Sequence, residues 1–215
     1  MARIQLAYEI IKLFDVITDP ITGERKVDLD KQYARYIQDN FDQIVAYTNE
    51  ARESHKHTIT LLPKDAILPV SNKPALTQIN STSHSYNVLD FDKDTAETCY
   101  WHLTIPASYN DQPITVKIKY IANATTGDVI WVAGIRGIDP NENVNYSLGE
   151  EDNIFTPDTV NATANYLNVA TLSIHSRFFK KGEWLSIPIR RFANNGDDTL
   201  TVDARLLEVV MEWEN

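Results

Sequence analysis

Apolar positions along the chain fall into two regimes that meet near residue 65. Upstream the spacing is helical. Ala34, Ile37, Phe41, Ile44, Thr48 and Ala51 recur at 3-4-3-4-3 intervals, which places them on one stripe of a helix. Asp28 or Asp30 caps that helix, which is predicted to run to about Glu53, with carboxylates at the positive end of its dipole. The preceding apolar stretch, Ala2 to Val16, fits a short helix or an edge strand, and Thr18 to Glu24, with Pro20 and Gly23, is a turn. A helix this short needs a packing partner. It either folds back on the rest of the chain or pairs with copies of itself, and the stripe is taken as an oligomer seam.

Downstream, alternation, β-branched residues and turn punctuation dominate. Strands are expected at Thr58–Leu62, Ala66–Val70, Ser85–Phe91, Thr98–Ile105, Ile114–Ile121, Val129–Ile135, Leu167–Ser176, Trp184–Arg190 and Thr199–Trp213, the last broken near Asp203. Val116, Ile118 and Tyr120 alternate with Lys117 and Lys119, so that strand has a buried face and a wet one. No crossover helix separates the strands, which argues for an antiparallel sandwich. Gly137 to Ala164 is polar and Asn-rich and is expected to be a long functional loop, facing the exterior or lying over a neighbouring subunit. The resulting fold class is mainly β: a jelly-roll-like antiparallel sandwich with an N-terminal α-helical oligomerisation or anchoring segment. Residues 1–57 form that segment, 58–84 a linker with the first strands, and 85–215 the sandwich.

Composition narrows the partners. The 215 residues are 43% apolar and 23% charged, ordinary for a folded chain. A net charge of −10 repels phosphate backbones, so nucleic acid is an unsuitable partner. No run of about 18 apolar residues exists to span a membrane, and the N-terminus lacks a signal-peptide pattern, so the expected site of synthesis is a cytoplasm. Cys99 is the single cysteine, which excludes an intramolecular disulfide or a thiolate metal cluster and suits a small buried side chain.

Catalytic signatures are not found: no nucleophile elbow, zinc helix, dinucleotide loop or phosphate loop. The expectation is a protein without catalysis, cofactor or metal. Asp90-Phe91-Asp92-Lys93-Asp94 has alternate carboxylates but neither the glycine nor the final glutamate of a calcium loop, and reads as a strand end entering an acidic turn. Trp101, Trp131, Trp184 and Trp213 all lie in strand-patterned segments and are read as core or interface packing. The loop tyrosines Tyr109, Tyr146 and Tyr166 are the candidate ligand contacts, since exposed aromatic rings stack on the apolar faces of sugars; Tyr109 equally suits a corner.

Three stretches carry a family resemblance: Tyr100-Trp101-His102-Leu103-Thr104-Ile105-Pro106-Ala107-Ser108-Tyr109, Ala124-Thr125-Thr126-Gly127-Asp128-Val129-Ile130-Trp131 and Gly182-Glu183-Trp184-Leu185-Ser186-Ile187-Pro188-Ile189-Arg190-Arg191. With the strand from Val116 to Tyr120 and the closing segment Asp198 to Val209, residues 85–213 resemble a jelly-roll-like β-sandwich of tailed-bacteriophage structural proteins. The Arg190-Arg191 pair is placed to bridge to the Asp-rich turn that follows it. The resemblance implies a structural virion protein: a homotrimeric capsid decoration, head-fibre or tail-attachment component, localised to the virion and partnered by the major capsid or tail protein. The alternative is a carbohydrate-binding module that engages a host surface glycan.

Overall fold

The computed structural model describes residues 17–18, 25–26, 38–44, 56–145 and 153–214. The chain forms two compact units, Met1–Glu53 and Ser54–Asn215. In the first, β1 (Ile17–Thr18) and β2 (Arg25–Lys26) pair antiparallel on either side of the predicted turn, and residues 38–44 are helical. Two of the stripe residues lie on that helix: Phe41 is 60% exposed and Ile44 is half-buried. Ala34, Ile37, Thr48 and Ala51 lie outside the described residues.

The second unit is strand and turn among its described residues, apart from two single-turn 3-10 helices at Pro63–Asp65 and Ser176–Phe178. Its elements are β3 (Lys56–Leu61), β4 (Ala75–Asn80), β5 (Ser85–Phe91), β6 (Glu97–Thr104), β7 (Ile114–Ala122), β8 (Asp128–Gly134), β9 (Arg136–Ile138), β10 (Asn153–Thr159), β11 (Asn168–Ile174), β12 (Trp184–Arg191) and β13 (Ala204–Glu214). A six-stranded sheet runs β11-β7-β13-β5-β4, with β3 on the distal half of β13; a five-stranded sheet runs β10-β8-β12-β6, with β9 on β12. Counting β5, β6, β7, β8, β10, β11, β12 and β13 as 1 to 8, the sheets read 1-8-3-6 and 2-7-4-5. That order is the double Greek key of a jelly roll. All strand pairings are antiparallel.

Period-2 patterning explains the layering. Val116, Ile118 and Tyr120 are fully buried while Lys117 and Lys119 face outward. Trp131 of the five-stranded sheet meets Phe91 and Tyr120 of the other sheet edge-on, at ring separations of 5.2 and 5.3 Å, and so fills the layer between them. Gly127 permits the turn into β8: its φ is +113°, and a Cβ there would lie 2.9 Å from the Leu200 backbone.

Arg191 and Asp198 close one end of the core, as the spacing predicts, and neither side chain is exposed. All five guanidinium N–H groups are used: Nε and one Nη2 proton on the Asp198 carboxylate, the others on the carbonyls of Phe91, Val202 and Leu200. Asp198 also accepts the amide of Ile130 at 3.0 Å. A buried charge survives only with this degree of satisfaction.

Several boundaries depart from the sequence expectation. Ala66–Val70 contributes one bridge, Ile67 to Tyr100, instead of a strand. The stretch read as a linker with the first strands holds a further strand, β4, which extends the six-stranded sheet. The long loop from Gly137 contains the rest of β9 and all of β10, so part of it is sheet. The final strand starts at Ala204, because the Thr199 and Leu200 amides donate to the Asp128 carbonyl; its irregularity falls between Leu206 and Glu208, not at Asp203.

Candidate functional site

The outer faces of the two sheets differ in chemistry, and the five-stranded one carries the candidate site. On β12, Leu185, Ile187 and Ile189 point into the core, so alternation turns Trp184, Ser186, Pro188 and Arg190 outward. Register brings Thr104, His102, Tyr100 and Thr98 of β6 opposite these four. On the other side of β12, Ile138 and Arg136 lie opposite Trp184 and Ser186. Pro188 has no N–H to give a ladder; it falls where the neighbour of β12 changes from β9 (up to Ser186) to β8 (from Ile189).

Trp184 is 39% exposed and stacks flat on His102, with ring centroids 4.5 Å apart and planes 5° apart. The stack occupies one face of the indole and fixes its plane. Burial holds the His102 imidazole below its usual pKa, and its Nδ1 is enclosed with no hydrogen-bond partner among the described residues. Arg136 and Glu142 form an ion pair at 3.6 Å beside Ser186, and Glu142 also accepts the Asp139 amide. Gly137 lets β9 sit this close: a Cβ would fall 1.8 Å from the Glu183 carboxylate, which accepts the Lys180 amide at 2.8 Å. The result is a planar aromatic surface rimmed by a hydroxyl, a guanidinium and a carboxylate. Such a surface stacks on the C–H face of a sugar ring and hydrogen-bonds its hydroxyls.

The structure does not bring the candidate tyrosines together. Tyr109 is 2% exposed and sits in the core, its hydroxyl donating to the Gln112 carbonyl and its ring against Phe179 and Trp213. Tyr166 is 57% exposed in the loop before β11, after Asn165, whose amide donates to Asn123. Tyr146 lies outside the described residues. Three of the four tryptophans are buried as expected; Trp184 is the exception. The signal was present in the alternation Trp184-Leu185-Ser186-Ile187, which puts Trp184 opposite the core-facing leucine and isoleucine. Asp92 of the acidic turn accepts the amides of Asp94 and Thr95, and no metal-holding cluster of His, Cys, Asp and Glu occurs among the described residues. Cys99 is buried, its thiol donating weakly to the Ile189 carbonyl, and burial pushes its pKa up. Among the described residues no helix is long and apolar enough to cross a membrane.

No protein-family model matches the chain, and no curated protein matches it. Solved structures similar to it include a family 35 carbohydrate binding module from an environmental isolate (12% identity, TM-score 0.45, covering 71% of this chain and 91% of that one). A family 35 module from Clostridium thermocellum matches at 10% identity and a TM-score of 0.44, over 72% and 97% of the two chains. The enzymatically active domain of tailspike protein 4 of Bacteriophage CBA120 matches at 12% identity and a TM-score of 0.37, over 73% of this chain and 19% of that one. With TM-scores below 0.5, the function rests on the chain's own side chains.

Proposed function

We propose that the second unit is a carbohydrate-binding module whose glycan contact is the outer face of the five-stranded sheet, centred on Trp184. The observation that carries this reading is the partly exposed indole, pinned flat by His102 beside Ser186 and the Arg136–Glu142 pair. A large aromatic ring held in one orientation loses little freedom on stacking and dominates the contacts it makes. The role is retention of a glycan without turnover. A glycan array tests it: the protein is retained on at least one saccharide, and Trp184→Ala, folded by circular dichroism, loses that retention. Equal retention by the variant rejects the reading.

The finer setting is a virion, with copies of the chain joined through the helical stripe, attached to a capsid or tail protein and made in the host cytoplasm. Phe41, 60% exposed on the 38–44 helix, supports it, since an exposed phenylalanine on an amphipathic stripe gains by burial on another chain. Mass photometry of the full chain and of Phe41→Glu checks this. The expected result is an oligomer that the substitution dissociates; a monomer at micromolar concentration removes the virion setting and leaves the module reading intact.

A further inference from the structure

We propose a second saccharide site, a cleft at the end of the six-stranded sheet that takes one neutral sugar unit. Its ligand class follows from its own lining, so it stands whether or not the Trp184 face binds. The cleft has a volume of about 300 Å³ and is lined by Lys56, Gln112, Thr115, Glu212, Trp213 and Glu214, with Pro113. That volume lies at the small end of ligand sites, suited to a chain terminus.

Register builds it. Glu212 lies opposite Thr115 of β7, and Glu214 opposite Lys56 of β3. Gln112 comes from the loop between β6 and β7, which is held by the Tyr109 hydroxyl on its carbonyl; Asp111 turns the chain there with a φ of +60°. The candidate contact Tyr109 thus positions a cleft residue from inside the core.

The lining leaves hydrogen-bonding capacity open. Lys56 and Lys117 approach the same Glu212 oxygen, Oε2, at 2.9 and 2.7 Å, which holds the carboxylate in place at the cleft wall. Gln112 and Glu214 are exposed and Thr115 is half-buried, so their polar side chains are within reach of a molecule in the cleft. The Trp213 ring forms part of the cleft wall, in a side chain only 3% exposed. Donors and acceptors are therefore interleaved around one small volume. A phosphate or uronate would meet two carboxylates. An apolar guest would strand all of these groups. A divalent cation would face the Lys56 ammonium. A neutral sugar, each hydroxyl both donor and acceptor, satisfies the whole set.

Indole N–H signals in a two-dimensional NMR titration test this. The chain has four tryptophans, and Trp213→Phe and Trp184→Phe assign the two needed signals. Methyl glycosides of glucose, galactose and xylose are the probes, with glucuronate as the anionic control. At least one neutral glycoside is expected to move the Trp213 signal saturably, and Gln112→Ala/Thr115→Val to weaken that binding by about tenfold or more. A Trp213 signal unmoved by every neutral glycoside, moved equally in the double variant, or moved by glucuronate alone overturns the proposal. The Trp184 signal reports the other face separately, so failure of one site is distinguishable from failure of the other.

Discussion

The two outer faces of the sandwich are built on the same alternation and end in opposite chemistries. On the six-stranded sheet the outward positions interlock as charges: Lys119 with Glu208 at 2.6 Å, Lys117 and Lys56 with Glu212, and Arg205 with Asp90 at 3.4 Å. On the five-stranded sheet the outward positions mix aromatic and apolar residues (Trp184, His102, Tyr100, Val132) with Ser186, Thr104 and Arg190, with Phe155 68% exposed at the β10 edge and one ion pair at the rim. Partly exposed ion pairs such as Lys119–Glu208 are already hydrated and offer a stacking partner no flat apolar surface. An indole half out of water has area still to bury. Face chemistry, not fold, separates the two sides.

Both faces rest on one shared core layer. Asp198→Ala leaves Arg191 buried and unpaired, and is expected to cost about 3–5 kcal/mol in chemical denaturation, destabilising both faces together. Rim substitutions come next. Arg136→Ala or Ser186→Ala is expected to weaken glycan binding by about tenfold in titration calorimetry while leaving the melting temperature nearly unchanged. On the charged face, Lys119→Ala is expected to cost less than about 1 kcal/mol, since both partners are about one-third exposed, and to leave glycan retention unaltered.

The smallest effect is a pH dependence specific to the aromatic face. His102 has a folded-state pKa below the usual 6.5, so on acidification the unfolded chain takes up its proton first. Its contribution to stability is complete above 6.5 and is lost as pH falls toward the folded value. Thermal melts from about pH 8 to about pH 5 should fall less steeply for His102→Gln than for the wild type; equal slopes would place His102 outside the enclosed stack.

Much of this architecture was legible from the residues. The strand Ser85–Phe91 and the buried face of Val116, Ile118 and Tyr120 follow from alternation alone, and the Arg191–Asp198 bridge from a cation preceding an acidic turn. What escaped did so for physical reasons. β10 contains Pro157, which reads as a strand breaker, yet β10 is an edge strand where proline is tolerated. β4 is largely exposed on both faces, so no alternation announces it. Trp184 and its rim come from three strands whose register is a three-dimensional fact: Arg136, Ser186 and His102 are distant in the chain and meet only because β9 and β6 flank β12. Tyr109, singled out for being an aromatic loop residue, turned inward because its ring completes the Phe179–Trp213 cluster.

A crystal structure with a saccharide retained on the array tests the central claim most directly. The account predicts a sugar ring stacked on Trp184, with hydroxyls reaching Ser186 or the Arg136–Glu142 pair. A sugar seated on the Lys117–Lys119 face, with Trp184 bare, would contradict it.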